Sequence, residues 1–300
     1  MSNRFIAGDW GTTQLRLWLC EGHRVLDTLT GVGIGKLQQS PAEHFSSLIA
    51  PWRAADDVRI ALLCGMVGSR NGWQEAAYVR CPATSDELRR AFAHVSDAGI
   101  EIAIVPGLSC TNPAGAPDVM RGEETQLIGA ATLRPEFATG EHVFALPGTH
   151  TKWARMVDGR VTAFQTALTG ELFALLRGST LLRASRADGE QPEDTAFDHG
   201  VTQARSARGG LLHALFQTRS RQLIDSMGAS AAKSFLSGLL IGSDVQGALD
   251  TFATGARVIL IGEPLLSSYY ARALQVAGVA SVSLDGAQCV LAGLRTLIDH

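Results

Sequence analysis

The strongest constraint on the 300-residue chain is a unit that occurs twice. Phe5-Ile6-Ala7 is an apolar strand signal that runs into Gly8-Asp9-Trp10-Gly11-Thr12-Thr13. Leu15 to Leu19 then alternates toward a Glu21-Gly22 turn, and Val25-Leu26 returns as a third strand. In the second half Val143 to Leu146 leads into Pro147-Gly148-Thr149-His150-Thr151, Lys152 to Val157 follows, Asp158-Gly159 turns, and Val161 to Phe164 returns. Gly11 stands eleven residues before turn glycine Gly22, and Gly148 stands eleven before Gly159. A strand, a Gly-Thr loop and a hairpin at the head of each half, each followed by alternating helices and strands, predict a duplicated α/β domain.

The remaining punctuation fits that plan. Ser40-Pro41 starts a helix over Ala42–Trp52, Val58–Leu63 reads as a buried strand, Asp86–His94 as a helix and Ile100–Val105 as a strand. Gly122–Leu133 reads as a helix whose two leading glutamates suit the positive end of its dipole. Pro, Thr, Gly and charged residues interrupt the periodicity between Pro135 and Glu141, giving expected domains of 1–137 and 138–300. Beyond that point Gly170–Leu249 is predominantly helical, Val258–Ile261 is a strand and Pro264–Val276 a helix. Val279–Leu284 is a strand and Ala287–Ile298 a final helix, which could dock on either domain.

Composition removes several classes of function. A net charge of −3 gives no general positive field for nucleic acid or an anionic membrane, so a phosphate-bearing ligand needs a local site. No stretch of about 18 apolar residues occurs, and Met1–Asp9 runs straight into a strand, so neither a membrane span nor a signal peptide is expected. The five cysteines are scattered and form no CxxC pair, which suits reduced thiols in the cytoplasm. Gly35-Lys36-Leu37 breaks the Walker A pattern, and no dinucleotide fingerprint, nucleophile elbow or HExxH motif is present.

Three segments carry candidate chemistry. In the first Gly-Thr loop, Gly11, Thr12 and Thr13 offer close backbone approach and donors for phosphate oxygens, and Asp9 offers one carboxylate for hydrated Mg²⁺. In the second, Gly148, Thr149 and Thr151 repeat the design, and His150 reads more simply as a hydrogen-bonding loop residue than as a base. Gly262 and Glu263 end a buried strand and open a helix, a position where ligands gather and where a purine can lie on the backbone. Each has a plain alternative: a hairpin turn for the first two, an ordinary strand-to-helix turn for the third.

Together the Asp-x-Gly-Thr-Thr loop, the second Gly-Thr loop and the late strand–Gly–helix segment resemble the actin/hexokinase/sugar-kinase superfamily. Within it, Asp9–Thr13, Gly65–Trp73, Met120–Gln126, Leu146–Trp153 and Leu168–Phe173 resemble the 2-dehydro-3-deoxygalactonokinase family over nearly the whole chain. The resemblance implies duplicated actin/ribonuclease-H-like domains, each a mixed five-stranded sheet flanked by helices, with an interdomain cleft. It implies an ATP- and Mg²⁺-dependent kinase acting on the terminal 6-hydroxyl of 2-dehydro-3-deoxy-D-galactonate, in galactonate catabolism. Its partners would be small molecules only, with a homodimer left open. The superfamily places a catalytic base after a glycine at a helix start in the first domain. Here that place holds Glu123 and Glu124, and the sequence does not choose between them. Arg70 and Arg121 are candidates for the acid's carboxylate, since a guanidinium fork matches it, and Trp73 could cover the carbon chain. The rival readings are a kinase for another sugar or keto-sugar acid, a phosphohydrolase on the same fold, and a non-catalytic nucleotide-binding regulator.

Overall fold

In a computed structural model the chain is described over residues 4–55, 58–97, 99–179, 193–207, 209–252 and 257–298. The first half runs β1 Arg4–Trp10, β2 Gln14–Glu21, β3 Arg24–Val32, α1 Pro41–Leu48, α2 Ala50–Ala55 and β4 Ile60–Gly65. It continues with β5 Tyr78–Arg80, α3 Ser85–Arg89, β6 Ala93–Asp97, β7 Ile100–Ile104, β8 Gly107–Thr111, β9 Pro117–Met120 and α4 Glu123–Leu133. The second half runs β10 Glu141–Leu146, β11 Thr151–Val157, β12 Arg160–Ala167, α5 Thr169–Arg177, α6 Asp194–Ser206, α7 Leu211–Leu215, α8 Gln217–Ile224 and α9 Ala229–Phe252. It closes with β13 Arg257–Gly262, α10 Pro264–Val276, β14 Ala280–Asp285 and α11 Gly286–Ile298. The helical stretch expected over 170–249 includes residues 180–192 and 208, which lie outside the described residues.

The duplication is visible in strand order. One sheet runs β3-β2-β1-β4-β7-β6 and the other β12-β11-β10-β13-β14. In the first, β1 is antiparallel to β2 and parallel to β4. In the second, β10 is parallel to β13, which is parallel to β14. Each is a mixed sheet with the hairpin at one edge and crossover strands at the other, the actin/ribonuclease-H-like arrangement. The first sheet has six strands where five were expected, because the helix expected over Asp86–His94 stops at Arg89 and Ala93–Asp97 pairs antiparallel with β7. A small sheet of β5, β8 and β9 is a further addition.

The chain forms two compact units, residues 1–141, 155–164 and 286–300 in one and 142–154 and 165–285 in the other. The expected boundary after residue 137 lies close to the first crossing, and the chain then returns to the first unit twice. The second return answers where the last helix docks. α11 packs on α4 so closely that a Cβ on Gly129 would stand 1.7 Å from the Cys289 carbonyl oxygen.

Each unit has its own core. The first is built on Ile6, Trp10, Leu15, Leu17, Phe45, Leu63 and Ile102, drawn from alternating positions of β1 and β2 and the apolar runs of β4 and β7. The second gathers Val143, Trp153, Phe197, Val245, Val258 and Tyr270. Capping boxes at Ser40–Glu43 and Thr84–Glu87 start α1 and α3, as residue types at that spacing dictate.

Candidate active site

In the first unit the carboxyl ends of β1 and β4 and the start of α4 converge. Asp9 is the penultimate residue of β1, Gly65 ends β4 with φ 89°, and Gly122 precedes α4 with φ 106°. A Cβ on Gly65 would lie 3.4 Å from Asp9 Oδ1, and a Cβ on Gly122 would lie 3.4 Å from Gly65 Cα. The positive φ of Gly65 and Gly122 lets the backbone turn there beside the Asp9 carboxylate.

Asp9 keeps part of its surface open, but its carboxyl is desolvated. Burial pushes it up to about 6; Arg16, its cross-strand partner, pulls it down, and the charge of Glu123 pushes it further up. Glu124 is fully buried, and burial followed by the neighbouring Glu123 charge pushes it up to about 8. Its Oε2 accepts from the Gly122 amide at 2.7 Å and its Oε1 from the Thr125 hydroxyl at 3.0 Å. Glu123 is half-buried, and its Oε2 accepts from the Arg121 amide at 3.0 Å. Cys64, buried at the end of β4, feels the charge of Asp9 and both glutamates. Burial and those charges push its thiol far up, so it stays neutral and unreactive.

The first Gly-Thr loop is held by main chain. The amides of Gly33, Ile34 and Gly35 donate to the carbonyls of Thr13, Gly11 and Thr12 at 3.0 to 3.1 Å. Thr12 and Thr13 project outward, exposed. Gly33 sits so near that a Cβ would be 2.4 Å from the Thr12 carbonyl.

The residues expected at the sugar acid separate. Arg121 lies flat on Tyr78, its Cζ 4.5 Å from the ring centre, with Nη2 donating to the Ala76 carbonyl at 2.8 Å. Its Nε and Nη1 are buried without a hydrogen-bond partner among the described residues. Arg70 instead points outward with its side chain 87% exposed, 3.8 Å from Glu75. Trp73 is half-buried and packs on Phe45 and edge-on to Trp10, against the outside of the first core.

In the second unit Gly148 and Thr149 form the loop, and the start of α5 closes on it through the Glu171 amide, which donates to the Thr149 carbonyl at 2.9 Å. His150 Nε2 and Glu171 Oε2 are 2.6 Å apart and half-exposed, the structural role expected for that histidine. Thr151 departs from expectation. It is fully buried with Oγ1 2.7 Å from the Tyr270 hydroxyl, so it braces the loop from behind instead of lining it. A cavity of about 330 Å³ opens beside the loop, lined by Gly148, Gly170, Phe173, Lys233, Tyr269 and Leu265 among others. Gly262 lies behind it, a Cβ there coming within 3.4 Å of the Pro147 carbonyl. Glu263 caps α10, its carboxylate accepting from the Leu266 amide at 3.0 Å; the cavity wall begins at Leu265.

Sequence reasoning passed over Asp244, Tyr270 and Lys233. Asp244 had one available signal: it falls on the same face of a helix as Ile241, Val245 and Ala248, where a charge is out of place.

A family model described as 2-keto-3-deoxy-galactonokinase matches residues 9–297. A Rhizobium meliloti protein described as a probable 2-dehydro-3-deoxygalactonokinase is 34% identical, the alignment covering 97% of this chain and 95% of that one. The 2-dehydro-3-deoxygalactonokinase of Escherichia coli is 33% identical, over 99% and 98%. A crystal structure of a Sinorhizobium meliloti protein assigned as a 2-dehydro-3-deoxygalactonokinase superposes with a TM-score of 0.88 at 34% identity, over 98% of this chain and 97% of that one.

Proposed function

We infer the reaction from a premise now in hand: this chain belongs to the 2-keto-3-deoxy-galactonokinase family. It is a sugar-acid kinase, and its reaction is transfer of the ATP γ-phosphoryl group to the terminal 6-hydroxyl of 2-dehydro-3-deoxy-D-galactonate, a step of galactonate catabolism. The observation that carries the reading is the convergence of Asp9 with the Gly122–Glu123 helix start at the ends of β1 and β4.

Work divides between the units. The first takes the acid and supplies the carboxylates; the second takes the nucleotide, whose adenosine fits the cavity of Phe173, Tyr269 and Leu265, with Lys233 and Ser237 on its polar side. Exposed Thr12, Thr13 and Thr149, with the amide of Gly148, are the phosphate donors; the Gly11 amide is taken by the Gln14 carbonyl at 3.0 Å, so Gly11 contributes close backbone approach. Gly262 shapes the nucleotide side from behind, and Glu263 acts through the start of α10.

Glu123 is the base. It is half-buried, lies at the first position of α4 and is coupled to Asp9, so its carboxylate can take the hydroxyl proton. Glu124 has both oxygens engaged and is lifted to about 8, so it holds a proton near neutral pH and shapes the helix start. Arg121 faces the acid's carboxylate in preference to Arg70: Tyr78 and Ala76 fix its plane beside Gly122, and two of its nitrogens lack partners.

Asp9 would hold the Mg²⁺ that travels with the nucleotide. A single carboxylate suits that ion, which keeps most of its waters and takes oxygens from phosphate; among the described residues no group of three or more His, Cys, Asp or Glu forms a cage. When bound, Mg²⁺ neutralises charge on the β and γ oxygens. None of the five cysteines is in a disulfide and no described helix is long and apolar enough to cross a membrane, and we place the reaction in the cytoplasm.

The test is an ADP-release assay over a panel of 2-keto-3-deoxy acids and the matching neutral sugars. ADP release that requires the six-carbon galacto acid is expected. Release without any acceptor would make the protein a phosphohydrolase, and equal use of neutral sugars would remove the carboxylate from recognition.

A further inference from the structure

Behind the second Gly-Thr loop lies a closed network of side chains centred on Asp244, midway along α9. Its Oδ1 accepts from Trp153 Nε1 at 2.8 Å. Its Oδ2 accepts from the Tyr270 hydroxyl at 2.6 Å and the Thr169 hydroxyl at 2.7 Å. The Tyr270 hydroxyl is in turn 2.7 Å from Thr151 Oγ1. One carboxyl therefore ties together four elements: β11 directly after the loop, the first residue of α5, the middle of α9 and α10. Thr169 and Tyr270 also line the 330 Å³ cavity, and Asp244 itself lines a second cavity of about 250 Å³ on the other side of Thr169.

The choice of a carboxylate here needs a reason. Among the described residues no lysine or arginine pairs with it, so the network holds a part-buried, desolvated carboxyl on neutral donors alone. Burial pushes Asp244 up, and the donors from Tyr270, Thr169 and Trp153 pull it down. An uncharged residue of the same shape would avoid that burial cost. What only a carboxylate offers is two oxygens that both accept and never donate. It forces Tyr270 and Thr169 to point their protons at Asp244, so the Thr151 hydroxyl must donate in its contact with the Tyr270 oxygen. The directions of the Tyr270, Thr169 and Thr151 hydroxyls are then set.

We propose that Asp244 is a positioning residue for the nucleotide: its carboxylate locks Thr151 and Trp153 behind the second Gly-Thr loop, and Thr169 at the start of α5, into the one arrangement the nucleotide phosphates meet. This rests on reading the second unit as the nucleotide site. Asp244 touches no substrate and acts through the loop. A pre-set loop spares the ordering cost on binding, so losing the lock weakens nucleotide affinity and leaves the first unit's chemistry alone.

Asp244→Asn and Tyr270→Phe are compared with the wild type by equilibrium binding of Mg²⁺-ADP, KM for ATP, KM for the sugar acid, kcat at saturation of both, and Tm. Asparagine can keep Trp153 only by turning its amide NH2 toward Tyr270 and Thr169, which must then accept, so the hydroxyl directions set by the carboxylate reverse. Asp244→Asn is expected to weaken ADP binding and raise KM for ATP by about 10- to 100-fold, the effect of losing a charge-assisted hydrogen bond. KM for the acid and kcat should stay within about threefold, the scale of a weak neutral contact. Tyr270→Phe keeps the ring and loses one donor, so a smaller rise in the same two quantities is expected. A lower Tm with ADP affinity and KM for ATP at wild-type values overturns the proposal, leaving Asp244 as a core contact. If Asp244→Asn does not fold, wild-type ADP affinity in Tyr270→Phe overturns it. A wild type that binds neither ADP nor ATP defeats the nucleotide reading itself, and the role of Asp244 falls with it.

Discussion

The first Gly-Thr loop is held by three main-chain bonds, whereas the second has one, from the Glu171 amide to the Thr149 carbonyl, and is otherwise held by side chains. Gly33, Ile34 and Gly35 donate three amides to the carbonyls of Gly11, Thr12 and Thr13, twenty or so residues earlier in the same meander. The second loop has no such glycine-rich neighbour. Thr151 and Trp153 are anchored to Asp244 and Tyr270, which lie some ninety to one hundred and twenty residues further on. One inherited pattern has thus been stabilised in two ways. The first loop must carry Asp9 at a fixed place beside Glu123, and a rigid backbone brace does that. The second borders a cavity walled by four helices, α5, α6, α9 and α10, and its brace runs through three of them.

The comparison breaks most sharply at the carboxylates, which only the first unit carries at its loop. Glu123→Gln should lower kcat by about 10²–10⁴-fold, the usual effect of a positioned base. Glu124→Gln should lose far less, because a neutral amide replaces a group that already holds its proton near neutral pH. Steady-state rates at saturating ATP and acid decide it, and a reversed order would move the base to Glu124.

A methyl group tests the two braces directly. In Gly33→Ala the new carbon would stand 2.4 Å from the Thr12 backbone, which cannot yield, so a loss of about 1–3 kcal/mol in stability and most of the activity is expected. In Gly148→Ala the nearest atom is 3.8 Å away, so thermal stability should hold. KM for ATP should nevertheless rise by about tenfold, because the methyl blocks phosphate from the main chain. Denaturant melts and KM values on both variants separate a steric lesion from a ligand-contact lesion. An unstable Gly148→Ala would mean the two loops are braced alike.

The desolvated acids of the first site, Asp9 and Glu124, give a pH signature. Asp9 rises from 3.8 to about 6 and Glu124 from 4.5 to about 8 on folding, so between those values the folded chain holds protons that the unfolded chain releases. Stability from these groups is therefore greatest below about pH 4 and falls as pH rises through 6 and then 8. Melting curves from pH 5 to 9 should show a smaller decline for Glu124→Gln than for the wild type. Equal slopes would mean that Glu124 ionises normally.

The smallest effect belongs to Glu263. As the cap of α10 it should cost about 1 kcal/mol or less when changed to Ala, with KM for ATP unchanged. A large rise in that KM would return Glu263 to direct contact with adenosine.

By itself the sequence determined the duplicated plan, the two Gly-Thr loops, the caps of α1 and α3, and α10 over its full length. These are local matters: turn glycines, cap residues and period-2 or period-3.6 patterns act over a few residues, so the chain displays them directly. It also brought Asp9, Glu123 and Glu124 into view as residue types at chain positions. Only the tertiary structure buried Glu124 and left Glu123 half-exposed, because which side chain is buried depends on α11 and β4 packing around the start of α4. It also laid Trp73 against the core and sent Arg70 outward, hid Thr151 behind its loop, and ended α3 early so that Ala93–Asp97 could pair with β7. Asp244 shows the limit most plainly. A lone aspartate in a long apolar helix means nothing until Trp153, Thr169 and Tyr270 arrive from three other elements, and contacts between distant parts of the chain form only when the whole sheet and its helices close around them.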